Sequence, residues 1–378
     1  MELSLTFRSR SPFLPPKRNS SSTHPPKLSI PIISPTPALQ LQGTHRLTVE
    51  AAARKKKKKK IEGVSEELNS IVSLNLDYAS ARRRVRSAFM EVQQQLDHCL
   101  FKMAPPGVIT DEWIERNSKV LEIFFRSWMP EPRMKIKGAV CFCHGYGDSC
   151  TFFFEGIARF IAASGYGVYA IDHPGFGLSG ELQLKYIPTL VGVIRHPSTG
   201  PTTGSTDSTS DFSHSVFGTF CFDINFVAAK IEDDVTPSEP VLKFLTLLAK
   251  VMPTAKLVPQ KDLAELMFRE PRKQKMAVYN VISYDDRVRL RTAVELLKAT
   301  KEIEMQMEKV SSPLLILHGA ADNVTDPLVS QFLYENASSK DKTLKLYEEG
   351  YHCILEGEPD DRIYTVLNDI IEWLDARC

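Results

Sequence analysis

No apolar run in the 378-residue chain is long enough to cross a bilayer, so no transmembrane segment is expected. Cysteine pairs at metal-ligand spacing are also missing. Cys99, Cys141, Cys143, Cys150, Cys221, Cys353 and Cys378 form an odd, scattered set. That usage points to a reducing compartment and argues against both a disulfide framework and a zinc site. Cys141 and Cys143 fall on one face of a predicted strand, where core packing is the expected role. Charge of either sign is not in excess: the formal net charge is +1, which gives no general attraction to nucleic acid. Gly175-Phe176-Gly177 lacks the third glycine of a dinucleotide fingerprint, and Pro174 before it suits a tight turn.

Acidic residues are nearly absent at the start. Met1 to Val49 contains one, Glu2, against six basic residues and many Ser, Thr and Pro. An acid-poor, Arg- and Ser-containing segment without an apolar core fits an organelle transit peptide over residues 1–51 rather than a secretory signal. Val49-Glu50-Ala51 resembles a plastid processing site, so the expected location is the chloroplast. Cleavage after Glu50 removes six basic and two acidic side chains, which takes the net charge from +1 to −3. Residues 52–61, with Arg54 and the run Lys55 to Lys60, read as a solvated basic linker or a nuclear signal.

What is present becomes informative from residue 62. Glu62 to Lys102 has apolar residues at three- and four-residue steps and reads as helix, with Arg82-Arg83-Arg84 on its polar face. A hairpin follows, roughly Thr110 to Glu115 and Val120 to Trp128 around Asn117-Ser118. Then strand and helix alternate: a strand from Gly138, a helix from Phe152 to Ser164, a strand from Gly167 to Ile171. This order predicts a parallel sheet. Near the C-terminus, Pro313 to Leu317 is a continuous apolar run typical of a strand buried on both faces. Asp322 lies just beyond it, and His352 lies just beyond a second strand, Thr343 to Tyr347. Catalytic groups of open α/β sheets gather at the carboxyl ends of strands. Asp322 and His352 are therefore candidates for the acid and base of a nucleophile–His–Asp triad, or else a turn carboxylate and a surface imidazole.

Four short motifs occur in order: His144-Gly145-Tyr146-Gly147-Asp148, His173-Pro174-Gly175-Phe176-Gly177-Leu178-Ser179, His318-Gly319-Ala320-Ala321-Asp322 and Gly350-Tyr351-His352. Together they resemble the plant monoacylglycerol lipase and caffeoylshikimate esterase group of α/β-hydrolases. The resemblance covers roughly Glu66 to Leu190 and Ile231 to the C-terminus. It implies a mostly parallel central sheet flanked by helices, with a helical cap over residues 231–309. It also implies a serine esterase acting without a cofactor on a small-molecule ester, monoacylglycerol-like or hydroxycinnamoyl. Asp322 falls on the family acid, His352 on its base, and the Tyr146 backbone N–H on one oxyanion donor. Asp326 is a nearby carboxylate expected to cap a helix. The wide apolar helix from Val241 to Val251 is expected to pack the cap or wall the acyl site, with peripheral lipid contact through the cap.

The departure from the family is as clear as the match. The nucleophile should sit in a Gly-x-Ser-x-Gly elbow, and the chain contains none. Residues 191–230 carry a Ser/Thr/Gly-rich tract with linker composition instead, and Phe217 to Ala228 offers one strand. Two crossovers of about 30 residues each do not fit there. The tract reads as a replacement, as an altered splice or a mistaken gene model would produce, and leaves the sheet incomplete at the nucleophile strand. Ser215 is the one rescue candidate, but Ser213 and Phe217 stand where the elbow needs glycine. Three readings follow: a serine ester hydrolase, an inactive hydrolase-like binding module, or an unstable product. A fluorescent fusion of the full chain should enter plastids, and one lacking Met1 to Val49 should stay outside; import of the truncated fusion would refute the transit-peptide reading.

Overall fold

The structure is a computed structural model that describes residues 60–103, 105–117, 120–180, 217–221, 239–257, 264–284 and 286–378, with 217–221 as backbone. The expected transit segment, residues 52–59 of the linker, Ser215 and most of the 191–230 tract lie outside these residues. The linker's expected end at residue 61 does belong to the fold. Ile61 is buried, and its backbone exchanges two hydrogen bonds with the Asn69 side chain, 2.8 and 3.1 Å long.

The single helix expected from Glu62 to Lys102 is three: α1 (Glu66–Val72), α2 (Ala79–Gln94) and α3 (Cys99–Lys102). Short polar side chains break it by bonding to nearby backbone. Ser73 Oγ donates to the Ser70 carbonyl at 2.6 Å, Asn75 Oδ1 accepts from the Asp77 N–H at 3.1 Å, and His98 Nδ1 accepts from the Leu100 N–H at 3.1 Å. The hairpin follows as β1 (Ile109–Arg116) and β2 (Glu122–Met129), antiparallel, with Trp113 opposite Phe125 and their rings stacked at 5.6 Å. Next come β3 (Gly138–Cys143), α4 (Phe153–Ala163), β4 (Tyr166–Ile171) and β5 (Phe217–Cys221). The five strands order as β1-β2-β4-β3-β5, with β3 parallel to both β4 and β5. The expected strand from Phe217 to Ala228 is thus described as far as Cys221, and it occupies the place beside β3.

The segment expected as a cap contains α5 (Glu239–Val251), α6 (Ala264–Met267), α7 (Pro271–Ala277) and α8 (Leu290–Glu304). Helix α7, with Pro271 at its first turn, had no counterpart in the sequence reading. A small core forms where Ala249 of α5 meets Leu290 and Val294 of α8. The chain ends with β6 (Leu314–Gly319), α9 (Pro327–Asn336), β7 (Lys342–Tyr347) and α10 (Asp360–Asp375). Strands β6 and β7 pair in parallel as a separate two-stranded sheet among the described residues.

The main core sits around β2, β3 and β4. Val140, Phe142, Trp128 and Val168 meet Phe154, Ile157 and Ile161 of α4 and Ile363, Val366, Leu367 and Ile370 of α10. Helix α10 therefore packs with the face its sequence period presents. The alternation along β3 corrects the reading of its cysteines. Val140 and Phe142 are buried, whereas Cys141 and Cys143 share the opposite, half-buried face.

Arg82 is a larger correction. In place of a polar helix face, its guanidinium is 3% exposed and donates to the carbonyls of Gly177, Ser179 (2.6 Å), Leu76 (2.7 Å) and Asp77 (3.2 Å). Its neighbour Arg83 reaches the Leu178 carbonyl at 3.0 Å and Glu122 at 2.9 Å. These two side chains hold the 172–180 loop that follows β4 against α2. Truncation strands several buried acceptors, each costing about 1–3 kcal/mol. Arg82→Ala should therefore destabilise the chain by about 3 kcal/mol or more in urea unfolding. Arg82→Lys should recover little, because an ammonium lacks the fork that spans four carbonyls. A midpoint indistinguishable from the parent for Arg82→Ala would contradict this clamp.

Candidate active site

Strand β6 ends at Gly319, and the chain turns through Ala320 and Ala321 to Asp322. This turn crosses the Gly350–His352 loop at very short range. A Cβ at Gly319 would lie 2.3 Å from the carbonyl oxygens of both Gly350 and Tyr351. The Ala321 N–H donates to the Gly350 carbonyl at 2.9 Å, and the Ala320 N–H to the Tyr347 carbonyl at 2.8 Å. Glycine in two motifs thirty residues apart thus lets two backbones touch and brings the side chains beyond them together.

Asp322 Oδ2 lies 2.8 Å from His352 Nδ1. The carboxylate, 1% exposed at its side chain, is saturated with donors. Oδ1 accepts the N–H groups of Val324 (2.7 Å) and Thr325 (3.0 Å), and Oδ2 also accepts the Thr325 hydroxyl (2.6 Å) and His318 Nε2 (3.0 Å). Burial alone would raise its pKa. The hydrogen bonds of His318, His352 and Thr325 outweigh that effect and hold the carboxyl well below its ordinary value. With Nδ1–H of His352 committed to a carboxylate, Nε2 is the nitrogen left with the lone pair.

His318 and Thr325 are the contributors that sequence reasoning passed over. His318 closes the turn four residues before Asp322, and its Nδ1 pairs with Ser330 Oγ at 2.6 Å. The hydroxyl of Thr325 lies between the carboxylate and both imidazoles. A histidine four residues before a candidate acid, at a strand end, was the available signal. Asp326 caps α9 by accepting from the Leu328 N–H at 2.9 Å.

The His144–Asp148 loop follows β3. Its histidine is buried: Nε2 accepts the His173 N–H at 2.9 Å, and Nδ1 donates to the Gly145 carbonyl at 2.7 Å. Burial lowers its pKa, and the neutral tautomer joins this loop to the one after β4. Asp172, fully buried, accepts the N–H groups of Cys150 and Leu178, each at 2.7 Å, and burial raises its carboxyl pKa. Gly177, at φ +48°, leaves no room for a Cβ, which would lie 2.1 Å from the Asp172 carboxylate. The ring of Tyr146 packs edge-on to Phe176 (5.1 Å) and Tyr284 (6.0 Å). The Tyr284 N–H donates to the Gly147 carbonyl at 2.7 Å, so the chain after α7 holds this loop.

A family model described as serine aminopeptidase, S33, matches residues 134–195 and 226–360. The chain belongs to this family. It is 31% identical over 282 residues to caffeoylshikimate esterase of Arabidopsis thaliana, covering 68% of this chain and 82% of that protein. It is 37% identical over 84 residues to monoglyceride lipase of Rattus norvegicus, which is 22% of this chain and 27% of that protein. A soluble variant of the Saccharomyces cerevisiae monoglyceride lipase, crystallised with a substrate analogue, aligns with a TM-score of 0.51 at 18% identity. That alignment covers 71% of this chain and 97% of the lipase. The fold is that of an α/β-hydrolase in a serine esterase and monoglyceride lipase family. The family match skips residues 196–225, inside the tract where the chain has no Gly-x-Ser-x-Gly. Among the described residues, no helix is long and apolar enough to cross a membrane.

The Asp322 network sets an acid limit on stability. A folded-state pKa below the unfolded value contributes stability that is present above the unfolded pKa, about 3.9, and is lost as pH falls toward the folded one. The urea midpoint of Asp322→Asn should therefore lie well below the parent at pH 7, and the gap should narrow below about pH 4. A gap independent of pH between 7 and 3 would show that the carboxylate's charge is not what the network holds.

Proposed function

We propose that the chain carries the acid–base half of a carboxylic-ester hydrolase site for monoacylglycerol-like or hydroxycinnamoyl esters. We further propose that the chain as written is impaired in turnover. The observation that carries the reading is the 2.8 Å contact of Asp322 Oδ2 with His352 Nδ1, inside a carboxylate fully occupied by donors. In this reading His352 Nε2 takes the proton of an attacking hydroxyl. Asp322 holds the ring's tautomer and stabilises the imidazolium that forms, and the Tyr146 N–H donates to the oxyanion. The relatives named as caffeoylshikimate esterase and monoglyceride lipase support the two substrate classes.

Impairment follows from the nucleophile. The chain lacks the Gly-x-Ser-x-Gly sequence that makes the strained turn presenting a serine, and with it the motif that supplies the second oxyanion donor, the N–H after the nucleophile. Ser215, the rescue candidate, lies outside the described residues. The same absence favours a second reading, a hydrolase-like protein that binds an ester without turning it over. Lipid contact through the segment after residue 231 is supported by α5, where Phe244, Leu247 and Val251 are 62%, 61% and 75% exposed on one face. Plastid import is supported by the acid-poor, basic residues 1–49.

Loss of a triad member can leave a residual rate of about 10³–10⁴ over water, supplied by binding and the oxyanion hole. Purified chain should show negligible hydrolysis of a short p-nitrophenyl ester and no labelling by a fluorophosphonate. Ser215→Ala should show the same background. Robust turnover and labelling that vanish in Ser215→Ala would overturn the impaired reading and make Ser215 the nucleophile.

A further inference from the structure

Two imidazoles reach the Asp322 carboxylate, and the second of them, His318, has no part in the chemistry proposed above. His318 is the penultimate residue of β6, with a side chain 13% exposed. Its Nε2 stands among three oxygens: Asp322 Oδ2 at 3.0 Å, Thr325 Oγ1 at 3.1 Å and the Thr325 carbonyl at 3.3 Å. An ionised carboxylate and a carbonyl can only accept, and the Thr325 hydroxyl already donates to Asp322 Oδ2 at 2.6 Å. Nε2 therefore carries a hydrogen, whichever protonation state the ring is in. On the opposite edge of the ring, Nδ1 meets the buried Ser330 Oγ of α9 at 2.6 Å. Ser330 thus fixes the ring, and the ring aims one N–H at Asp322.

The oxygen it reaches is the one that His352 uses. Oδ2 accepts from Thr325, from His352 Nδ1 at 2.8 Å and from His318 Nε2, while Oδ1 takes two backbone N–H groups. A carboxylate oxygen offers about two lone-pair sites, so three donors must divide its charge. Whatever His318 and Thr325 draw from Oδ2 is not available to stabilise a proton on His352. Each packed element contributes one such neighbour. His318 comes from the end of β6, Thr325 from the turn and His352 from the loop after β7; α9 supplies the uncharged Ser330 behind His318.

We propose that His318 is a positioning residue that restrains the proton affinity of His352 through the carboxylate oxygen they share. The proposal rests on the reading of Asp322 and His352 as an acid–base pair. An unshared carboxylate would hold the imidazolium of His352 more tightly. Sharing keeps His352 Nε2 unprotonated to lower pH, and lets the ring pass a proton to a leaving group more readily. Both suit a general base working near neutral pH. A residue that merely filled space would need no N–H at Nε2.

NMR of the full chain, labelled in its histidines and titrated with acid, tests this without turnover; His352→Gln assigns the resonance. In the parent, the His318 hydrogen must be found on Nε2, and a ring protonated at Nδ1 alone would overturn the proposal without any variant. Two substitutions then separate donor from spacer. A glutamine amide occupies the place of Nε2 and an asparagine amide that of Nδ1. His318→Gln therefore keeps the donor to Asp322, and His318→Asn keeps only the Ser330 contact. His318→Asn should raise the His352 midpoint by about one pH unit, tenfold in proton affinity. His318→Gln should leave the midpoint near the parent value, and Asp322→Asn should lower it. An unmoved midpoint in His318→Asn, with Asp322→Asn still lowering it, would overturn the role of His318 and leave the acid–base pair standing. Equal shifts in His318→Asn and His318→Gln would do the same. A midpoint insensitive to Asp322→Asn would overturn the pair and the proposal together.

Discussion

The carboxylate of Asp322 is buried, ionised and satisfied only if five donors from two segments reach it at once. A charge removed from water is tolerated only when its lone pairs are occupied, so this group constrains everything around it. The backbone between Gly319 and Thr325 must wrap it, His318 must turn back from the strand end, and the 350–352 loop must come within van der Waals contact of Gly319. Strands β6 and β7 pair so that Gly319 stands opposite Tyr347, which sets the two loops side by side. The tilt of His352 follows from this arrangement, because its Nδ1 has one strong acceptor within reach.

The same physical logic recurs at the other strand ends. Asp172 is fully buried after β4 and takes two backbone N–H groups, while Ser179 Oγ donates to its carbonyl at 2.6 Å. Arg82 then satisfies the carbonyls that this tight loop turns inward. His144 Nε2 accepts from the backbone N–H of His173, the residue after Asp172. Each network rigidifies a loop whose backbone groups no strand can pair. The Arg86–Arg126–Arg159 cluster is built differently. Its three guanidinium groups share two carboxylates, Glu112 and Glu155.

Asp322 and His352 are paired at 2.8 Å in a chain whose sequence contains no Gly-x-Ser-x-Gly. The donors that reach the Asp322 carboxylate among the described residues all belong to residues 318–352. Strand β5 lies beside β3 in parallel register, Ala139 opposite Phe217 through Cys143 opposite Cys221, and so gives β3 a partner on that side. A sheet neighbour is a backbone requirement and many sequences meet it. A strained serine turn is a side-chain and glycine requirement, and few do.

Much of this was readable in the chain itself. Apolar period and turn residues located the hairpin, β3, α4, β4, β6 and β7 to within a few residues, because those signals are local. Other features depended on partners distant in sequence. Arg82 looked like a solvent-facing residue of a polar helix, and only the loop at Gly177 to Ser179, nearly a hundred residues on, makes it a buried clamp. His318 and Thr325 acquired their roles from the single oxygen they share with His352. The half-burial of Cys141 and Cys143 followed from which face of β3 the helices cover. Sequence by itself determined where strands end and which residues bear chemistry, since those are properties of local pattern. Which donors meet which buried charge was decided by tertiary structure alone, because that depends on chains crossing at a distance no local pattern records.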